Sequence, residues 1–511
     1  MKKQFYKILS IALISVLALS SCDLTREPEN AIPRENSLQS ISDAKKWDTG
    51  FMTLLRGRVG GYYTYIQDYQ ADYLNASSEF GNRGGDWHGW LTLTSSSYDA
   101  KDIWHSYYVA LKNINEFLKL SAEFNLTDEK EIAELNAYKG DAHLLRAYYY
   151  SELAIRYGTK YNEATANSDL CVPLILKYDL TELPSRATNG EVYTQIASDI
   201  ATAKTLLKDR NNAPMSRVLT VDAAYALEAR VALTKKDWGT ALAASEHIIN
   251  SKKYPLVAAT AESFTNMWRT DNSTEDIVQL YVKKTDEEPN VIGLYGYSAT
   301  LKACNPDFFP TQGIIDLFDD TDLRKNIYFE KAVTKVGLYS MKDTYVISKY
   351  KGNAEFNNTA DPRYIIRPKL FRMGEVYMIA AEAAYNLPNN EAKAANHLNS
   401  LRVSRGLSAS TATGVDLYQA IKDERTRELA FEGTRLWDLR RWNESMKRMP
   451  PQVSKEPVSK DNIDPIGTAF LSSAISHTLD IKTDNNKWIW PIPYNELTTN
   501  VNIKNQQNPG Y

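Results

Sequence analysis

ERTRELAFEGTRLWDLRRW, from Glu424 to Trp442, crowds acids, arginines and aromatic rings into one short run. It can be read as a catalytic charge cluster or as a structural strut. On a helix, Asp423 and Glu424 reach Arg427, Glu432 reaches Arg435 and Asp438 reaches Arg441. Those separations of three or four residues are the ones at which side chains meet on a helical surface. Leu429, Leu436, Leu439 and Trp437 add apolar contact. The stretch predicts a buried or half-buried ionic strut, in which the pairs matter only as a network, because an isolated exposed pair contributes about 1 kcal/mol at most.

Upstream, the chain is helical in pattern. TVDAAYALEARVALTKKDWGTALAASEHIIN predicts two helices, Val221 to Leu233 and Trp238 to Ile249, and its many alanines let the pair approach closely, as in a tetratricopeptide hairpin. GEVYMIAAEAAYNLPNNEAKAANHLNSLRVSRG repeats the arrangement, with Pro388-Asn389-Asn390 as the break and Gly406 as the stop. Ser42 and Thr127 start two earlier helices, the second carrying Ile132, Leu135, Ala142, Leu145, Tyr149 and Leu153 up to Gly158. Thr188-Asn189-Gly190-Glu191 has the spacing of a capping box. The fold class is mainly α, a tetratricopeptide-like helical-hairpin scaffold over about 100–250 and 370–445, interrupted by a large irregular, loop-rich lobe. Loop-rich regions are expected at about 57–99, 250–367 and 449–511, where Gly, Pro, Asn and aromatic residues replace helical periodicity.

At the start, Lys2, Lys3 and Lys7 precede an apolar run from Ile8 to Leu19 that ends in Leu19-Ser20-Ser21-Cys22. The run is too short to span a bilayer and reads as a signal peptide over 1–21. Its end resembles a bacterial lipobox, which makes Cys22 the lipidation site and 22–40 a polar tether to a body over 41–511. The whole chain of 511 residues is 43% hydrophobic and 24% charged, with a mean hydropathy of -0.44. Losing the three lysines of the leader leaves 57 basic against 63 acidic residues, a formal charge of -6, which gives nucleic acid no basic surface to bind. Cys171 and Cys304 are too few and too far apart for a disulfide framework and are expected as buried thiols.

Chemistry-bearing motifs are scarce. HExxH, GxSxG, phosphate-loop and CxxC patterns are missing, and the histidines are scattered. Asp319, Asp320 and Asp322 are expected to shape a turn and not to hold a metal, since the run lacks the Gly and the later Glu of a calcium loop. No cofactor, metal or catalytic residue is expected. The densest binding signal is YYTYIQDYQADYLNASSEFGNRGGDWHGW, residues 62–90, where Trp87 and Trp90 stand among glycines beside Asp72, Asn82 and Arg83. Flat rings next to planar hydrogen-bonding groups complement a sugar, with its C–H faces and rim of hydroxyls. The opposing reading packs both tryptophans under the loop. Tyr295 and Tyr297 form a second aromatic candidate.

The lipobox, DIWHSYYVALKNINEFL, LLRAYYYSELAIRYG followed by VPL, the SRATNGEVYTQIASDIATA segment, the Glu424–Trp442 stretch and the ending WIWPIPYNELTTNVNIKNQQNPGY together resemble the SusD/RagB family of Bacteroidetes outer-membrane nutrient-binding lipoproteins. The resemblance runs over nearly the whole mature chain. It implies a surface-exposed protein without catalysis that binds oligosaccharides and delivers them to a SusC-like TonB-dependent transporter as a hinged lid. It also implies that Trp437, Trp442, Trp488 and Trp490 belong to scaffold motifs. YQADYL resembles the family's acidic position near the ligand face, which adds Tyr73 to Asp72 as a candidate. Three rivals stand beside glycan uptake. Oligopeptide capture is favoured by the similarity of RATNGEVYTQI to RagB-like members, and a surface glycosidase or a purely structural subunit would belong to other classes.

Overall fold

A computed structural model describes residues 37–511, except for 91, 180, 283–293, 295, 338, 357–363 and 455–478. The signal peptide, Cys22, the tether as far as 36, and Tyr295 therefore lie outside the described residues. In chain order the principal helices are α1 (Ile41–Val59), α2 (Tyr62–Gln70), α3 (Tyr98–Glu123), α4 (Glu129–Tyr157), α5 (Asn189–Leu207), α6 (Val221–Lys235), α7 (Trp238–Ser251), α8 (Ala261–Arg269), α9 (Met373–Tyr385), α10 (Glu391–Ser404), α11 (Gly414–Glu428) and α12 (Arg435–Trp442). None of the described helices is long and apolar enough to cross a membrane.

Local chemistry explains where these helices begin. Thr188 and Glu191 cap α5 reciprocally, the Thr side chain accepting from the Glu191 N–H while the Glu carboxylate accepts from the Thr188 N–H. Asp128, one residue after the expected Thr127, caps α4 by accepting from the N–H groups of Lys130 and Glu131. Ser40, not Ser42, caps α1. The region expected to be irregular from about 57 contains α2, because the tyrosines there fall on a helical surface against the core.

Packing follows from small residues. α4 and α5 lie so close at Gly140 that a Cβ there would sit 2.8 Å from the Leu207 side chain. The hairpins α6–α7 and α9–α10 share a second core of Ala229, Ala232, Ala241, Ala380, Ala383 and Ala394 with Leu398, Leu401 and Ile421. Short antiparallel pairs build the irregular lobe, among them Leu74–Ala76 with Phe308–Pro310 and Lys369–Arg372 with Asp276–Gln279. Cys171 and Cys304 are both buried, in separate clusters.

The charged stretch is not one helix. α11 ends at Glu428 and α12 starts at Arg435, with Phe431 at φ 64° and Gly433 at φ 72° between them. A side chain at Gly433 would meet Gln67 Nε2 at 2.4 Å and Thr64 O at 2.6 Å, so the break must hug α2. Of the expected pairs, Glu424–Arg427 at 2.6 Å and Asp438–Arg441 at 2.9 Å form. Asp423 instead accepts from Gln419. Because the break turns Glu432 away from Arg435, Glu432 binds Lys349 at 2.6 Å and the Arg372 Nε at 2.9 Å, while Arg435 grips Asp72 at 2.9 and 2.7 Å.

Glu428 is the centre of the network. Its carboxylate accepts from Arg324 Nη1 at 2.8 Å, from Arg405 Nε and Nη2 at 3.0 and 2.7 Å, and from Arg372. Arg405 also holds Glu275 at 2.6 and 2.8 Å, and Arg324 holds Asp322 and Glu424. Burial alone would raise the Glu428 pKa, but Arg405, Arg372 and Arg324 overcome it and hold it well below the usual 4.5. The native carboxylate thus releases its proton more readily than the unfolded one. Its stabilisation is complete above about pH 4.5 and fades as the pH falls through the depressed value. Glu428→Ala should lower unfolding free energy by about 3–5 kcal/mol, since it strands buried guanidinium groups. Urea unfolding of the variant at pH 7 and pH 3 should show that deficit shrinking at the acidic end.

Candidate functional site

A cavity of about 190 Å3 opens where α2, the C-terminal half of α4 and α6 face the irregular lobe. Tyr148, Glu152 and Arg156 stand four residues apart on α4, so one stripe of that helix lines the cavity. Tyr63, Thr64 and Gln67 do the same from α2, and Arg230 and Thr234 from α6. The lobe contributes Trp268, Tyr350 and the segment through Lys369 and Arg372, while Glu432, Gly433 and Trp437 close the floor. The break between α11 and α12 is thereby part of the cavity wall.

Polar groups in the wall are held in fixed pairs. Arg230 clamps Glu375 through two bonds of 2.8 and 2.6 Å, with its guanidinium 4.6 Å from the Phe371 ring centre. Arg156 donates to Glu152 at 2.6 Å and to the Tyr63 carbonyl at 3.1 Å, and its guanidinium lies 5.5 Å from the Trp490 ring centre. Such bidentate and ring-stacked arginines give up little freedom on ligand binding. Beneath Trp268 and Tyr350, Lys349 Nζ sits 4.0 Å from the Tyr328 ring centre and 4.6 Å from that of Trp268. Burial pushes that lysine down to about 8, against the pull of Glu432. Burial also holds the Tyr148 hydroxyl well above its ordinary pKa, so it stays a neutral donor.

The tryptophans expected as sugar platforms are core. Trp87 and Trp90 are 0% and 1% exposed. Trp87 Nε1 donates to Asp99 at 2.7 Å and its ring lies 4.3 Å from that of Trp490. Trp90 Nε1 donates to the Gln70 carbonyl at 2.8 Å, with its ring 4.9 Å from that of Trp488. The glycines that argued against a helix permit a short one, Gly85–Gly89, flanked by Gly84 and Trp90 at positive φ, and it folds both rings inward against the C-terminal segment. Asp72 and Tyr73 are also buried and serve the scaffold. Asp72 binds Arg435, and the Tyr73 hydroxyl donates to Asp68 at 2.5 Å.

The remaining candidates lie elsewhere. Asn82 is exposed at φ 59°, and Arg83, 66% exposed in its side chain, pairs with Asp307. Tyr297 is half-buried, its N–H donating to the Tyr364 hydroxyl at 2.7 Å. It packs in the same small cluster as Tyr65 and Tyr350, both of which line the cavity. Trp437, set aside as scaffold, also lines it. The signal missed in the sequence was the spacing Tyr148–Glu152–Arg156, a polar and aromatic stripe flanking the apolar face that the helix assignment relied on.

Two family models match the chain, the SusD family over 341–511 and "Starch-binding associating with outer membrane" over 36–233. None of the curated proteins compared matches it. Among solved structures, a SusD superfamily protein from Bacteroides vulgatus is 22% identical, aligns over 93% of this chain and 100% of its own, and has a TM-score of 0.74. One from Bacteroides thetaiotaomicron is 22% identical over 92% of this chain and 100% of its own, also at 0.74. A SusD-like carbohydrate binding protein from Bacteroides vulgatus is 19% identical over 91% of this chain and 97% of its own, at 0.65.

Burial makes the tryptophans and the exposed loop residues separable by experiment. Trp87→Ala and Trp90→Ala should each cost about 3–5 kcal/mol of stability. Asn82→Ala and Arg83→Ala should stay within about 1 kcal/mol of the parent. Denaturant midpoints of the four variants measure the contrast.

Proposed function

Because the chain belongs to the SusD family, we propose that it is a non-catalytic, lipid-anchored protein of the outer-membrane surface that captures oligosaccharides and delivers them to a SusC-like TonB-dependent transporter. Cys22 would carry the lipid, and 22–40 would give the body reach above the bilayer. The observation that carries the reading is the cavity itself, where the Tyr63, Tyr65, Tyr148 and Tyr161 rings stand among guanidinium and carboxylate groups already locked to one another. Ring faces suit the C–H faces of a pyranose, and fixed polar pairs suit hydroxyls that both donate and accept.

The same pairing supports binding without hydrolysis. Each carboxylate in the wall faces a cation: Glu152 with Arg156, Glu375 with Arg230, Glu432 with Arg372, and Asp438 with Arg425. A glycosidase needs one carboxyl kept protonated to serve the leaving group, and an adjacent guanidinium opposes that.

Calorimetry of the full chain in detergent, against a panel of oligosaccharides and a mixed oligopeptide pool, tests the reading. Tyr65→Ala and Tyr161→Ala should each weaken glycan binding about three- to tenfold, as for the loss of one ring contact. Peptide binding with no glycan binding would move the protein to oligopeptide capture, and glycan cleavage products would sink the non-catalytic part. In cells, Cys22→Ser should abolish incorporation of labelled palmitate.

A further inference from the structure

The charges of the cavity wall do not cancel. Its carboxylates are all taken by neighbouring cations, and Lys369 is balanced in turn by Asp271 and Asp276. Three further cations line the same cavity with no carboxylate partner among the described residues: Arg58, Lys160 and Arg440. Arg58 donates to the carbonyls of Ser106 and Leu54 at 3.2 and 2.8 Å. Arg440 donates to those of Ile155 and Gly158 at 2.6 and 2.8 Å, closing the end of α4. Lys160 is exposed, and among the described residues its Nζ donates to the Asn443 side chain, at 3.0 Å.

Resting on the glycan reading above, we infer that the oligosaccharide is acidic, its uronate or sulfate group bound by Lys160 in the positive field of Arg440 and Arg58. Three features support this. Lys160 sits among cations. Partial desolvation lowers its pKa, and the charges of Lys236 and Arg440 lower it further. Beside it, Lys235 Nζ lies 5.2 Å from the centre of the Tyr161 ring, so a sugar lying on Tyr161 meets positive charge from both lysines. Second, the acids whose charge reaches Tyr161, Glu163 and Asp237, are exposed to solvent that screens them, and Asp237 is further occupied in capping α7. Third, the chain as a whole is acidic, at a formal -3, so a cationic cavity is a local feature that draws anions against the overall charge.

The test is calorimetry of the full chain in detergent with three hexasaccharide classes: oligogalacturonate, a sulfated glycosaminoglycan fragment and neutral malto-oligosaccharide. An acidic class should bind about tenfold tighter than the neutral one, the size of one charge-assisted hydrogen bond. That affinity should fall as salt rises, and which acidic class prevails identifies the anionic group. Lys160→Gln and Arg58→Gln should each remove much of the preference, Lys160→Gln leaving the thermal midpoint unchanged and Arg58→Gln lowering it through loss of the bonds to the Ser106 and Leu54 carbonyls, with Lys160→Arg retaining both preference and midpoint. Equal or tighter binding of the neutral glycan, or acidic binding indifferent to the Lys160→Gln, Arg58→Gln double variant, overturns the inference and leaves glycan capture standing. Binding of none of the three classes, with or without binding of the oligopeptide pool, overturns both.

Discussion

The fold depends on one carboxylate. Glu428 faces Arg324, Arg372 and Arg405, which come from three separate segments of the chain and meet where water does not reach. Removing a carboxylate from water costs several kcal/mol, and only near-complete partnering makes that tolerable. The requirement is also what gives the contact its specificity. Loss of that carboxylate would leave Arg324, Arg405 and Arg372 to their outer partners Asp322, Glu275 and Glu432 in an interior that tolerates no unbalanced charge. Helical scaffold and irregular lobe are therefore locked together by a contact that is either whole or very costly.

That lock shapes the cavity. Arg372 binds Glu428 from the last residue of a strand and also reaches Glu432, which in turn holds Lys349 under the rings of Trp268 and Tyr328. The break at Phe431 and Gly433 aims Glu432 at this cluster and leaves Arg435 to tie Asp72 on the far side. Pairs and rings in the wall are thus positioned before any ligand arrives, which reduces the ordering cost of binding. The more exposed end is held by lighter contacts, Lys160 by its bond to Asn443 and Tyr161 by the edge of Tyr193, 5.0 Å between ring centres.

Much was legible in the chain. The helix start at Thr188, the alanine-rich hairpins and the ionic character of Glu424–Trp442 follow from local spacing, because caps and (i, i+4) neighbours are settled within a turn. The resemblance carried by the same motifs led to the family. Trp87 and Trp90 misled because glycine density measures how freely the backbone bends, and the same freedom that can expose a ring let the chain fold these two onto Trp490 and Trp488. Asp72 misled for a related reason: whether an acid meets solvent or Arg435 depends on a residue 363 positions away.

By itself, the sequence determined the helical class, the pairing of helices into hairpins and the family, since each rests on contacts between residues near in the chain or on motifs read in order. Only the tertiary structure decided that the strut breaks at Phe431, that Glu432 and Arg435 find partners other than each other, and that the Tyr148–Glu152–Arg156 stripe lines the cavity while the tryptophan loop is buried. The physical reason is that burial is a property of the whole packing. Which face of an amphipathic helix meets a cavity, and which charge meets which, is fixed by long-range contacts that local spacing cannot specify.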